Sequence, residues 1–259
     1  MIIDTHAHYD DEAFLEDRET VFKEIKANGV GLVVNIGSTL ASAKESVELA
    51  KQYDFIYAAV GVHPSEIEEL TEEDMGWLFE ASKENKVVAI GEIGLDYHYD
   101  EPDRELQKKW FIRQLKVAKE TGLPVCIHSR DAAQDTLDIM KEWHSEGISG
   151  VIHCYSYGWE HAKVYLEMGF FLGIGGVVTF KNGKKLKEVV KNAPMESIVL
   201  ETDAPYLAPT PYRGKRNHSG YLPLVAEAIA EIKGISKEEV IRMTEENAGR
   251  LYPKLLSTK

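Results

Sequence analysis

With two cysteines, Cys126 and Cys154, in 259 residues, the chain is too poor in cysteine for a disulfide framework. That scarcity fits a reducing compartment. No apolar run approaches the ~20 residues that span a bilayer, which argues against a membrane protein. The first residues, Met1-Ile2-Ile3-Asp4, enter a strand-like segment without a signal-peptide pattern, so a cytoplasmic location is expected. There is no repeat, no low-complexity tract and no Pro/Ser-rich linker at which to divide the chain. Positive charge is also scarce. Thirty Lys and Arg against 43 Asp and Glu give a net charge of −13, which excludes a protein that coats nucleic acid by neutralising phosphates. One region departs from this balance. Between Lys181 and Arg216, eight bases stand against four acids, a local charge of +4, so a local anion site is compatible with the acidic whole.

Hydrophobic residues make up 44% and charged residues 28%, ordinary for a globular protein. Short apolar runs recur at Met1–Ile3, Leu32–Ile36, Phe55–Val60, Val87–Ile90, Pro124–Ile127, Gly150–Ile152, Phe170–Ile174 and Ser197–Leu200. Continuous β-branched runs of this kind read as buried parallel strands. Amphipathic stretches such as Arg104–Thr121 and Thr136–His144 lie between them, with Gly or Pro at many junctions. Eight such units predict an α/β fold, a single (β/α)8 TIM-like barrel domain over residues 1–259, in preference to an open doubly wound sheet. Residues Ser236–Leu256 predict an additional C-terminal helix, opened by a capping box of Ser236 and Glu239.

Barrel enzymes build their sites at the C-terminal ends of the strands. Here those ends carry His6 and His8, Glu92, His128, His153, and Glu201 with Asp203. Residues i and i+2 of a strand point to one side, so His6 and His8 can converge on one ion. One ion is expected on His6, His8 and Asp203 and a second on His128 and His153, with Glu92 as the bridge. Several buried ionisable groups need compensation, which a divalent metal cluster supplies. Imidazole with carboxylate suits Zn, Mn, Fe or Ni better than Mg.

The same residues carry a family resemblance. The segments Asp4-Thr5-His6-Ala7-His8, Gly61-Val62-His63-Pro64, Gly91-Glu92-Ile93-Gly94-Leu95-Asp96-Tyr97, Ile127-His128-Ser129-Arg130, Ile152-His153-Cys154, Thr179-Phe180-Lys181-Asn182, Glu201-Thr202-Asp203-Ala204-Pro205-Tyr206-Leu207 and Arg213-Gly214-Lys215-Arg216-Asn217 follow in order over nearly the whole chain. The chain resembles the TatD family of metal-dependent deoxyribonucleases, within the amidohydrolase superfamily. The resemblance implies a barrel, Mg-dependent hydrolysis of DNA phosphodiesters, often as a 3′→5′ exonuclease, and ligand roles for His6, His8, Glu92, His128, His153 and Asp203. Two positions depart from the family pattern, Tyr157 and His218-Ser219-Gly220. Both are expected near the substrate rim.

Other residues have simpler readings. Asp131 is read as a helix N-cap, Cys126 as a small buried thiol, and His98, His144 and His161 as solvated. Glu201 is either a ligand or a support for one. His63, Arg130, Arg213, Lys215 and Arg216 are candidate substrate contacts, the last three because barrels often bind phosphate after strand eight. At least two of the three arginines are expected at the barrel mouth. The expected activity is hydrolysis by two divalent ions, Mg, Mn or Zn, with Asp203 taking a proton from water. The expected partner is DNA, single-stranded or at an end, with no obligate protein partner. An amidase, lactonase or phosphotriesterase-like enzyme would use the same metals on another bond, and a non-enzymatic metal-binding protein would keep them without turnover.

Overall fold

The computed structural model describes residues 1–255. Its strands are β1 (Ile2–Ala7), β2 (Val30–Ile36), β3 (Ile56–Val60), β4 (Val87–Asp96), β5 (Val125–Arg130), β6 (Gly150–Ile152), β7 (Phe171–Ile174) and β8 (Ile198–Leu200). Each pairs in parallel with the next in chain order. The circle closes just past β8, where Ala204 bridges Ala7 in parallel and the His8 amide donates to the Ala204 carbonyl at 2.8 Å. An open doubly wound sheet would leave β1 and β8 apart as edges, so the eight strands form the expected barrel. No helix among the described residues is long and apolar enough to cross a membrane.

The strands outrun their apolar stretches where the site begins. β4 continues six residues beyond Ile90, to Asp96, so its polar end is strand and not loop. Helix α4 (Arg104–Thr121) is bounded as its pattern predicts. The Asp103 carboxylate accepts from the Glu105 amide at 3.0 Å, and Gly122 ends it at φ 68°, a conformation open to a residue without Cβ. Two expected caps are corrected. Helix α5 (Ala133–Ser145) is preceded by Ala132, with no side-chain cap; Asp131 lies at φ 53° and its carboxylate meets His98 Nδ1 at 3.1 Å. The left-handed turn directs that carboxylate away from the helix. For the same reason His98 is not simply solvated.

At helix α9 (Lys237–Leu251), Ser236 accepts from the Glu239 amide at 3.1 Å, but the Glu239 carboxylate goes to Arg242 and the box is half made. This helix ends at Leu251, earlier than expected; a 3-10 turn follows over Pro253–Leu255, and Leu256 lies outside the described residues. Ala248, Leu251, Tyr252 and Leu255 bury themselves against Ile3, Val34, Tyr57, Val88, Val151 and Val199. The extra helix thereby plugs the end of the barrel where the strands begin. Polar chemistry is left to the opposite mouth.

Candidate metal centre

Every histidine of the expected set has one ring nitrogen tied back and the other turned inward. His8 Nδ1 lies 2.9 Å from the Ile36 carbonyl, which can only accept, so Nδ1 carries a proton and Nε2 is the nitrogen that offers a lone pair once the ring is neutral. His6 Nδ1 rests 3.2 Å from the buried Cys126 sulfur. His128 Nε2 is 3.0 Å from Asp96 Oδ2, and His153 Nδ1 is 3.1 Å from Glu201 Oε1. Such outer partners fix tautomer and ring orientation in metal sites. The free nitrogens then converge: His6 Nε2 and His8 Nε2 are 3.0 Å apart. Two facing lone pairs at that distance repel unless a proton or a cation lies between them.

The two carboxylates complete the cluster. Glu92 Oε2 lies 3.5 Å from His6 Nε2 and 3.8 Å from His8 Nε2, while Oε1 lies 2.8 Å from His128 Nδ1 and 3.7 Å from His153 Nε2. One oxygen faces each histidine pair. Asp203 Oδ1 is 3.4 Å from His8, 3.7 Å from His6 and 3.7 Å from His153. Ligands about 2.1 Å from a tetrahedral ion stand about 3.4 Å from one another, so the spacings of 3.4 to 3.8 Å suit a shared divalent ion, while the 2.8 Å Glu92–His128 and 3.0 Å His6–His8 contacts are hydrogen-bond distances that would open on binding. His6, His8 and Asp203 form one donor group able to hold an ion; His63, Glu92 and His128 form another. Of the six expected ligands, none is left out of the cluster.

Charge within the cluster is mutually compensated. Burial opposes ionisation of Glu92, but His153, His6 and the hydrogen bond from His128 hold it well below the usual carboxylate range. Burial likewise disfavours a charged His8, yet the Asp203 hydrogen bond and charge, with Glu92 and Asp10, raise it to about 9. Burial opposes the charged form of His153 too, and Glu201 and Glu92 lift it to about 10. His6 moves the other way, lowered by burial and by the charge of His153. Its ring stacks on His153 with centroids 3.4 Å apart, so only one of the two can be charged cheaply.

Several supports were not evident beforehand. Asp96 shares the face of Glu92, four residues along β4, a spacing that would have flagged it had the strand been carried that far. Asp4 lies fully buried beneath the site, accepting from Thr202 Oγ1 and Ser219 Oγ, both at 2.6 Å, and its burial lifts it to about 7. It ties β1 to the segment after β8. Asp203 itself is held at φ 58°, its amide donating to the His6 carbonyl at 2.9 Å. Gly91 permits the close approach of β4 and β5; a Cβ there would lie 2.5 Å from that of Cys126. Glu201 stands behind His153 and accepts from the Cys154 amide at 2.6 Å, so it supports a ligand.

A cavity of about 620 Å³ opens above the cluster, lined by His8, Glu92, His128, His153 and Asp203, and toward the rim by Asp10, Asp11, Glu66, Tyr99, Arg130 and Tyr206. His63 also lines it, packed edge-on to His128 at 4.2 Å. His63 Nδ1 accepts from the Ser65 amide at 3.1 Å, so Nε2 bears the proton. Burial and the nearby His128 hold His63 down at about 4, keeping it neutral. It is a hydrogen-bond donor there. The arginines are distributed differently from expectation. Arg130 reaches the cavity, whereas Arg216 spends its fork on Asp17, at 2.8 and 2.6 Å, and Arg213 lies over the Phe180 ring at 4.4 Å. Lys215 lines a neighbouring groove with Arg216.

The two departures from the family pattern differ in place. His218 and Ser219 are buried, away from the rim. Tyr157 is half-buried beside the cavity: its hydroxyl meets Ser129 Oγ at 3.0 Å, and Ser129 lines the cavity, while the Ala132 amide donates to the same hydroxyl at 3.1 Å.

The family model described as TatD related DNase matches residues 3–253. The chain belongs to the TatD family of metal-dependent hydrolases. It is 46% identical to the uncharacterized metal-dependent hydrolase YabD of Bacillus subtilis, over 97% of this chain and 99% of that one. It is 34% identical to the uncharacterized metal-dependent hydrolase YcfH of Escherichia coli, over 97% and 96%. Among solved structures, YjjV, a TatD homologue from Escherichia coli K12, superposes with a TM-score of 0.92 at 30% identity, covering 97% of this chain and 98% of that one.

Proposed function

We propose that this TatD-family protein is a hydrolase with two divalent metal ions that cleaves phosphodiester bonds in DNA at a strand end. The observation that carries the reading is the division of Glu92, one oxygen toward His6 and His8 and the other toward His128 and His153. A shared carboxylate between two donor sets is the arrangement a two-ion site requires. Such ions would supply Lewis acidity at the phosphoryl group and activation of water at neutral pH. His6, His8 and Asp203 would hold one, His128 and His153 the other, with Glu92 between.

The chain's own groups supply the remainder. Asp203, which lines the cavity and is held ionised, accepts a proton from the attacking water. The His63 Nε2–H donates to a phosphoryl or leaving oxygen, and with Nδ1 engaged by the Ser65 amide and the ring held down at about 4 it is a poor base, which leaves that role to Asp203. Arg130 offers a planar fork to a phosphate at the rim. Asp10, Asp11 and Glu66 repel a long polyanion, which supports a short segment or an end as substrate. The test is a purified, metal-loaded preparation assayed on end-labelled single- and double-stranded DNA beside a panel of amides and lactones. Glu92→Ala should lower DNA turnover by about 100-fold or more with the fold intact. Amide or lactone hydrolysis without DNA cleavage would overturn the nuclease reading.

A further inference from the structure

Among the described residues, five large hydrophobic side chains are exposed: Met1, Leu15, Tyr99, Tyr206 and Leu207. Three of them, Tyr99 at 63%, Tyr206 at 55% and Leu207 at 40%, line the one cavity above the metal cluster. Exposed apolar groups gathered on a concave surface mark a binding site. Tyr99 follows β4 and Tyr206 follows β8. In a closed barrel of eight strands in chain order, β4 and β8 are diametrically opposite, so the two rings stand on opposite sides of the mouth. Tyr206 is anchored by its hydroxyl, which donates to Asp11 Oδ2 at 3.0 Å. Leu207, beside it, follows the turn closed by the Tyr206 amide on the Asp203 carbonyl and lies in the left-handed region at φ 55°. On the other side the Arg130 guanidinium lies 5.8 Å from the centre of the Tyr99 ring.

We propose that Tyr99 and Tyr206 are stacking platforms for unpaired nucleobases, one on either side of the scissile phosphate, with Arg130 on the phosphate next to the Tyr99 platform. The proposal rests on the phosphodiesterase reading and names how that site selects its substrate. Charge leads to the same occupant. Nucleic-acid binding ordinarily draws its affinity from Lys and Arg on phosphates, and this mouth has Arg130 set among Asp10, Asp11 and Glu66. Arg130 is the one Lys or Arg among the described lining residues, so beyond the scissile phosphate, which the ions would engage, affinity comes from the ring faces, which accept any base. A paired base has both faces covered by its neighbours in the duplex; a terminal unpaired base has a face to offer. The site therefore selects frayed or single-stranded ends.

Binding can be measured apart from turnover. The Mn²⁺-loaded protein is titrated with a short phosphorothioate oligothymidylate, resistant to cleavage, carrying 2-aminopurine at one end or the other. A matched ligand has an abasic residue in that place. Stacking should quench the 2-aminopurine fluorescence and make the base-bearing ligand bind about 5- to 150-fold tighter than the abasic one. Tyr99→Ala and Tyr206→Ala should each erase most of that preference at one of the two label positions, and Tyr99→Phe and Tyr206→Phe should retain it. Equal affinity for both ligands, no binding of either, or an unchanged preference in the alanine variants would overturn the stacking site. If the protein hydrolyses a small activated phosphodiester but shows no base preference, the hydrolase reading stands and the stacking site falls. Base-dependent binding without hydrolysis of any phosphodiester gives the reverse.

Discussion

Metal uptake should expel protons, and the structure sets roughly how many. Lone pairs that bind metal must be free of protons. His8 is raised to about 9 and His153 to about 10 by the carboxylates around them, so at pH 7 the cation-free cluster carries protons on both rings. Displacing a proton from a group two pH units below its pKa costs about two decades of affinity, and three units about three decades. Apparent metal affinity should therefore climb with pH, with a slope approaching two decades per pH unit below about pH 9, falling to about one between pH 9 and 10, and levelling off above that. Calorimetric titration with Mn²⁺ in two buffers of different ionisation enthalpy counts the protons directly; about two should be released at pH 7.

Stability carries the same signature. Both folded values lie above the ordinary histidine value of 6.5. The protons thus stabilise the cation-free protein fully below pH 6.5, and that contribution fades as pH rises toward 9 and 10. In chelator the melting temperature should fall over this window, and saturating metal should remove the fall. Release of less than half a proton at pH 7, with a flat affinity profile, would refute this account of how the cluster balances its charge.

Glu201→Gln should weaken metal binding by about 10- to 100-fold, because a neutral amide holds the His153 Nδ1–H less firmly; metal titration of the variant checks this. Arg130→Ala should raise the Michaelis constant for DNA severalfold and reduce its salt dependence by about one unit of slope. Arg216→Ala should instead leave both nearly unchanged and cost up to about 1 kcal/mol of stability through the half-exposed pair with Asp17, read by urea unfolding. Asp4→Ala strands the buried hydroxyl donors of Thr202 and Ser219 and should destabilise the fold by about 3 kcal/mol or more, measurable in the same way.

The barrel was legible in the chain because its information is local. Continuous apolar runs of strand length, spaced by amphipathic stretches, specify parallel strands with helical crossovers, and His6 with His8 declares a shared face through the two-residue period. The convergence of the six candidate ligands was legible for a related reason: a strand's end lies near the axis of a closed barrel, so polar residues there must meet. Whatever depends on a partner distant in sequence was not legible. Asp96 acts through a ring borne on another strand, and Glu201, read as either ligand or support, is decided between the two only by its place behind His153. Asp4 finds Ser219 across 215 positions. Arg216 reads as a phosphate ligand by its neighbours in the chain and becomes the partner of Asp17 only when the loop folds back onto the segment before α1 (Arg18–Ala27). Ser219 and Tyr157 likewise turn inward. The sequence by itself determined which chemistry gathers at the mouth. Only the tertiary structure decided which charges remain free to meet a substrate, since a charge is neutralised by whatever stands within a few ångströms, however remote in the chain.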